Sequence, residues 1–92
     1  MEIVKVAKAG TLESNDIMVM VMPSESNEIE LELESIVLKH FGQQIRTVIL
    51  QTVARLNVVA VKIKAQDKGA LDYTIEARVE AALMRAAEEE NR

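Results

Sequence analysis

The sequence predicts a small two-layer α+β sandwich, a mixed sheet with helices on one face, in the order β-β-β-α-β-α. Three observations predict it. Glu28-Ile29-Glu30-Leu31-Glu32-Leu33-Glu34 alternates strictly, which is the pattern of a half-buried strand. Two later stretches repeat apolar residues at spacings of three and four, the pattern of amphipathic helices. Between them lies Val58-Val59-Ala60-Val61-Lys62-Ile63-Lys64, another strand. A strand, a helix and a strand in succession favour parallel strands joined by a right-handed crossover. Helices laid on one face of such a sheet give two layers, and residues 1–92 are expected to form a single domain.

The elements follow in order. Ile3 to Ala9 reads as a strand, its β-branched and small residues alternating loosely with Lys5 and Lys8. Gly10-Thr11-Leu12-Glu13-Ser14-Asn15-Asp16 is small-residued and polar, a turn between two apolar segments. Ile17 to Met22 is a strand apolar on both faces, with Met18, Met20 and Met22 on one and Ile17, Val19 and Val21 on the other. Such a strand is central and covered on both sides, or half-covered with a methionine face open to a partner. Plain core filling is the preferred reading. Pro23 ends the strand, having no N–H for a ladder.

In the alternating strand, Ile29, Leu31 and Leu33 are expected to face the core, and the glutamates to face outward. That row of like charge repels itself unless lysines oppose it, and Lys62 and Lys64 of the next strand are placed to do so. A carboxylate row also raises a hard-cation site, but side chains along a strand diverge, and no metal site is expected. Helical spacing starts at Glu34 or Ser35 and runs through Val37, Phe41, Ile45, Val48, Ile49, Thr52, Val53 and Leu56. Gly42 predicts a kink or a break, and Asn57 a C-terminal cap. Val59, Val61 and Ile63 form one strand face. Asp67-Lys68-Gly69 is a turn, and Leu71, Ile75, Val79, Ala82, Leu83 and Ala86 trace the second helix. Its acidic end, Glu88-Glu89-Glu90-Asn91-Arg92, is expected to fray.

Composition narrows the function. A chain of this size buries only about 60–65% of its unfolded surface, leaving little room for an enclosed catalytic pocket. The only aromatics are Phe41 and Tyr73, so the core is aliphatic. Residues 1–34 carry a net charge of −6 and the remainder +2, without a clustered basic face. Nucleic acid is therefore not an expected partner. The acidic half either steers the domain toward basic patches on proteins or only keeps it soluble. With no cysteine there is no disulfide, thiol nucleophile or Cys-based metal site, which fits a cytoplasmic protein. The N-terminus does not read as a signal peptide, and the longest apolar run is far too short for a membrane span.

Catalytic constellations are missing. The three glycines are scattered, so there is no phosphate loop. The only histidine, His40, reads as a surface or boundary helix residue rather than a catalyst. Glu13 and Asp16 flank Ser14, but exposed carboxylates in a turn are expected to titrate normally and to be weak bases. Ser14 is thus either an ordinary turn residue, by far the commoner role for a serine in a turn, or an attachment point activated by another protein.

Seven segments carry a family resemblance: Ala9-Gly10-Thr11-Leu12-Glu13-Ser14-Asn15-Asp16, Phe41-Gly42, Ile45-Arg46-Thr47-Val48-Ile49-Leu50, Val53-Ala54-Arg55-Leu56-Asn57-Val58, Asp67-Lys68-Gly69-Ala70-Leu71-Asp72, Arg78-Val79-Glu80-Ala81-Ala82-Leu83, and Arg85-Ala86. Together, spanning nearly the whole chain, they resemble the acyl carrier protein of citrate lyase, its γ subunit. The resemblance implies a carrier rather than a catalyst. It implies that Ser14 holds 2'-(5''-phosphoribosyl)-3'-dephospho-CoA through a phosphodiester, installed by a dedicated phosphoribosyl-dephospho-CoA transferase from a triphosphoribosyl precursor. It also implies an acetate ligase acting on the group's thiol, an α subunit exchanging acetyl for citryl, and a β subunit cleaving citryl-thioester to oxaloacetate and acetyl-thioester. A tethered arm on a rigid tip raises local substrate concentration at both active sites. Asn15 stands where the family commonly has glycine, and asparagine tolerates the left-handed backbone.

Other readings stand beside this one. The acyl carrier of malonate decarboxylase uses the same type of cofactor on a serine. A non-carrier docking module would use the methionine face and leave Ser14 silent. The chain does not resemble the four-helix acyl carriers, whose Asp-Ser-Leu signature is absent. Arg46, Arg55, Arg78 and Arg85 recur in the matching segments, as contacts to partners or cofactor phosphates or, the preferred reading for each, as solvated residues paired with nearby acids.

Overall fold

A computed structural model describes residues 1–87. Strands β1 (Ala7–Gly10), β2 (Ile17–Met22) and β3 (Ile29–Ser35) are followed by helix α1 (Leu38–Arg55), strand β4 (Val61–Asp67) and helix α2 (Asp72–Ala87). The sheet runs β1-β2-β4-β3. The β1–β2 and β2–β4 pairs are antiparallel, while β3 and β4 are parallel. This is the expected mixed sheet and element order. The expectation for Glu88–Arg92 lies outside the described residues.

One sheet face carries the core. Ile17, Val19 and Val21 of β2 are fully buried beside Val61, Ile63 and Ala65 of β4. The helices close over them with Ile45, Ile49 and Val53 from α1 and Ile75, Val79 and Leu83 from α2. Helix α2 lies over β1 and β2, and α1 packs beside α2 and toward β3. Among the described residues no helix covers the other sheet face. There the register lines up Lys8, Met20, Lys64 and Glu32 in one cross-strand row and Gly10, Met18, Gln66 and Glu34 in the next. The methionines are half-buried on this open face, so core filling is not their role. The register sets Met20 opposite Lys64 and Met22 opposite Lys62. The predicted opposition of charge is present: Lys62 Nζ lies 3.6 Å from Glu32.

Several boundaries differ from the sequence reading, each for a backbone reason. The segment before β1 is not strand from Ile3. Val4 and Lys5 instead donate their N–H groups to the Ala86 carbonyl at the end of α2 (2.9 and 3.2 Å), while Ile3 drops into the core. These two bonds give a terminal carbonyl of α2 the partners that the helix itself does not supply. Helix α1 starts at Leu38, because Ser35 is still paired with Asp67 in the ladder. It runs unbroken through Gly42, which is buried under Leu38; a β-carbon there would lie 2.9 Å from Leu38 Cδ1. Phe41 is half exposed rather than in the core.

β3 is an edge strand, so Leu31 and Leu33 are only partly buried and Ile29 is exposed. β4 starts at Val61 because the preceding residues finish α1. Asn57, at φ 60°, donates to Ala54 O and Val58 to Val53 O, the paired bonds of a Schellman ending. Val58 is thereby buried, and Val59 is left 79% exposed instead of facing the core. No described helix is long and apolar enough to cross a membrane.

Candidate functional site

Ser14 stands at the tip of the β1–β2 hairpin. Glu13 to Asp16 form a tight turn, closed by a bond from Asp16 N–H to the Glu13 carbonyl (3.2 Å). Asn15, its third residue, has φ 66°, the left-handed value a type II turn needs there. Ser14 precedes it, exposed, and its hydroxyl has no protein partner among the described residues. At the base of the loop Gly10 has φ 98°, and a β-carbon on it would come within 1.8 Å of the Ile17 carbonyl oxygen. Only glycine lets β1 and β2 approach this closely as the loop opens.

The turn is fastened to the rest of the molecule at two points. One is backbone: Asn15 N–H donates to Lys68 O and Lys68 N–H to Asp16 O, both at 2.8 Å. This extends the β2–β4 pairing one step past Ile17 and Asp67. The other is the Asp16 carboxylate. Arg78 of α2 grips it with two parallel bonds, Nε to Oδ1 at 3.0 Å and Nη2 to Oδ2 at 2.8 Å. Thr11 Oγ1 donates to Oδ2 and the Ile17 N–H to Oδ1, each at 2.7 Å.

The bonds from Arg78 chiefly, with those from Thr11 and Ile17, hold the Asp16 carboxyl at about 2, below the ordinary 3.8 and against the opposing effect of burial. Asp16 raises the Arg78 guanidinium in turn. Asp16 is therefore neither an exposed carboxylate nor a normal one, contrary to the sequence reading. Its lone pairs are committed to structure, and its depressed pKa makes it an even weaker base for Ser14.

Lys68 follows Asp67, the one charged residue buried in the core among the described residues, at 2% exposure. Its carboxylate accepts from Ser35 Oγ (2.8 Å), Gly69 N–H (3.0 Å) and Ala70 N–H (3.0 Å). Ser35 Oγ also accepts from Val37 N–H at the entry to α1. The carboxylate thus ties the end of β4 to the end of β3 and to the loop before α2, and Ser35 carries the network on to Val37, just before α1. In the sequence, Asp67-Lys68-Gly69 reads only as a turn. The Asp-x-Gly spacing is the local signal for the bond to Gly69, but nothing local reveals the bond to Ser35.

Arg78, read as a solvated helix residue, pairs with an acid as expected, but that acid belongs to the Ser14 turn. Arg55 pairs with Glu80 at 3.0 Å, and Arg85 Nη1 donates to the Lys8 carbonyl at 2.6 Å. Arg46 is exposed on α1, as is His40, which meets the Phe41 ring edge-on at 6.4 Å between centroids. Among the described residues no three His, Cys, Asp or Glu side chains are grouped to hold a metal ion. The arrangement presents an unactivated hydroxyl on a rigid tip, available to a reagent brought from outside.

Known proteins share the chain's length and fold. The family described as malonate decarboxylase delta subunit (MdcD) matches residues 4–86. The citrate lyase acyl carrier protein of Streptococcus mutans serotype c is 54% identical over 90 residues, which are 98% of this chain and 88% of that protein. Its counterpart in Halothermothrix orenii is 52% identical over 87 residues, covering 95% of this chain and 92% of the relative. That of Escherichia fergusonii is 51% identical over 89 residues, with 97% and 92% covered. Among solved structures, a chain in the crystal structure of a Pseudomonas malonate decarboxylase hetero-tetramer in complex with malonate superposes with a TM-score of 0.75. It is 18% identical, with 90% of this chain and 84% of that chain covered. At that identity the likeness speaks to the fold.

Proposed function

Since the chain belongs to the citrate lyase acyl carrier protein family, and is a non-catalytic carrier subunit, we propose that Ser14 is its point of covalent attachment and that the group attached is phosphoribosyl-dephospho-CoA. One observation carries the reading: Ser14 offers an exposed, unbonded hydroxyl on a turn fixed by Asp16–Arg78 and by Lys68. The group fits this position because the tip is open on its outer side and no neighbouring side chain occupies the hydroxyl. When bound it supplies a thiol, which this cysteine-free chain lacks, to carry acetyl and citryl during citrate cleavage to oxaloacetate and acetate.

This chain's residues hold the attachment point still and leave the chemistry to others. Attachment joins Ser14 Oγ to phosphorus of a triphosphoribosyl precursor; pyrophosphate leaves, and the hydroxyl proton passes to a base on the installing transferase. Asp16 does not serve as that base, since Arg78, Thr11 and Ile17 occupy its oxygens. On this reading the chain is a single acyl carrier domain of a cytoplasmic complex. Its partners are the α and β subunits, the transferase and the acetate ligase.

The test is intact-protein mass spectrometry after co-expression with the transferase, beside Ser14→Ala. One adduct of the prosthetic group, mapped to Ser14 and lost in the variant, is the expected result. An unmodified protein, or an adduct elsewhere, overturns the assignment. The family match and the fold neighbour also favour a malonate decarboxylase reading. Reconstitution separates the two: citrate lyase α and β subunits should accept the holo protein and malonate decarboxylase subunits should not.

A further inference from the structure

The helices leave an apolar groove beside the Ser14 tip. Its cavity volume is about 440 Å³, and Val37, Phe41, Ile45, Gly69, Ala70 and Leu71 line it. Helical spacing assigns Phe41 and Leu71 to the core, yet they are 52% and 59% exposed. The groove is polar at one end, where Gln44 Nε2 donates to the two oxygens of Asp72 at 3.1 and 3.2 Å. Gly69 joins groove and tip. It lines the cavity, and a β-carbon built on it would lie 3.6 Å from Asn15 Oδ1. Asn15 is the residue after Ser14, so the groove's rim lies beside the turn that bears Ser14.

We infer that this groove is a resting site for the thiol-ended arm carried on Ser14, an inference that rests on Ser14 being the attachment point. The occupant is specified by its tether and its chemistry. The outer part of such an arm is a run of methylenes, amides and a geminal dimethyl group ending in a thiol or a short thioester. The methyl and methylene groups match the Phe41, Ala70 and Leu71 walls, and the amides match the Gln44–Asp72 end. The volume lies within the roughly 300–1,000 Å³ of small-molecule clefts. Tethering supplies an effective concentration of about millimolar, so weak intrinsic affinity is enough. Docking covers the exposed Phe41 and Leu71 and keeps the thioester from water between visits to partner active sites.

The experiment uses the holo protein, its Ser14 adduct first verified by mass. In amide and methyl NMR spectra, the expected result is holo-minus-apo shift changes at Phe41, Ile45, Ala70 and Leu71, with nuclear Overhauser contacts from the arm's geminal methyls to the Phe41 ring. Alkylation of the holo thiol should be about twofold or more slower than that of free coenzyme A, as half-time docking of a tethered arm requires. Phe41→Ser and Leu71→Ser, both at half-exposed positions, should restore the rate. An adduct on Ser14 with shift changes confined to Thr11–Asp16 and Lys68 overturns the groove and leaves the carrier reading standing. No adduct on Ser14 removes both. The contacts are read on the unaltered protein, so the test holds even if a variant misfolds.

Discussion

Arg78 lies 62 residues beyond Asp16 and closes on its carboxylate through two bonds, of 3.0 and 2.8 Å. The pair joins the second helix to the serine-bearing turn. The fall of the Asp16 carboxyl from 3.8 to about 2 corresponds to about 2 kcal/mol unscreened. Solvent screening at the 39% exposed Arg78 reduces this to about 1 kcal/mol. The folded-state value lies below the unfolded one, so this stabilisation is complete above about pH 4 and is lost as pH falls toward 2. Urea unfolding at stepped pH should show that decline in the parent protein and a weaker one in Arg78→Ala. A double-mutant cycle with Asp16→Asn should return a coupling of about 1 kcal/mol.

Gly10→Ala tests the hairpin base. The added carbon meets the Ile17 carbonyl at 1.8 Å with φ at 98°. Overpacking against backbone and left-handed strain together should cost about 3 kcal/mol or more. Thermal or urea unfolding measures it directly, and a loss under 1 kcal/mol would mean that the strands separate easily here.

Asp67→Ala removes the acceptor of three bonds at a position 2% exposed. The expected loss is about 2–4 kcal/mol, because the Ser35, Gly69 and Ala70 donors are left without their partner. Hydrogen exchange adds a specific readout. The Asn15 and Lys68 amides, which bond across the tip, should exchange faster by a larger factor than amides in β2.

Asn57→Gly and Asn57→Ala should move stability in opposite directions. Asn57 sits at φ 60° just past α1. Glycine takes that conformation without strain and should stabilise by a few tenths of a kcal/mol, whereas alanine should cost about 1 kcal/mol. Asn15→Gly, at φ 66°, should likewise preserve the fold and leave Ser14 modification unimpaired, as mass spectrometry of the co-expressed variant can verify.

Where the pattern is periodic, the sequence was legible. The Ile-Glu-Leu-Glu alternation locates β3 and its charge partners, since side chains on a strand alternate regardless of what packs on them. The apolar spacing from Ile45 to Val53 and from Ile75 to Ala86 locates both helices and their buried faces. Local patterns failed at the edges of elements. Val59 and Phe41 continue their apolar periods but pass beyond the partner surface, so they stay exposed. Ile3 is apolar and buried, yet its neighbours' N–H groups go to a helix end rather than to a strand.

By itself the sequence determined the element order, the alternating and helical faces, and the turn that puts Ser14 between two strands, because these depend on neighbours a few positions apart. Only the tertiary structure decided that the methionine face is open, that Asp16 is clamped by Arg78, and that Asp67 joins the end of β4 to Ser35 at the end of β3. Each depends on groups far apart in the chain that meet only once the sheet has formed and the helices have packed on it. A carboxylate's environment is set by the donors that reach it, and those donors come from elements that local sequence cannot place.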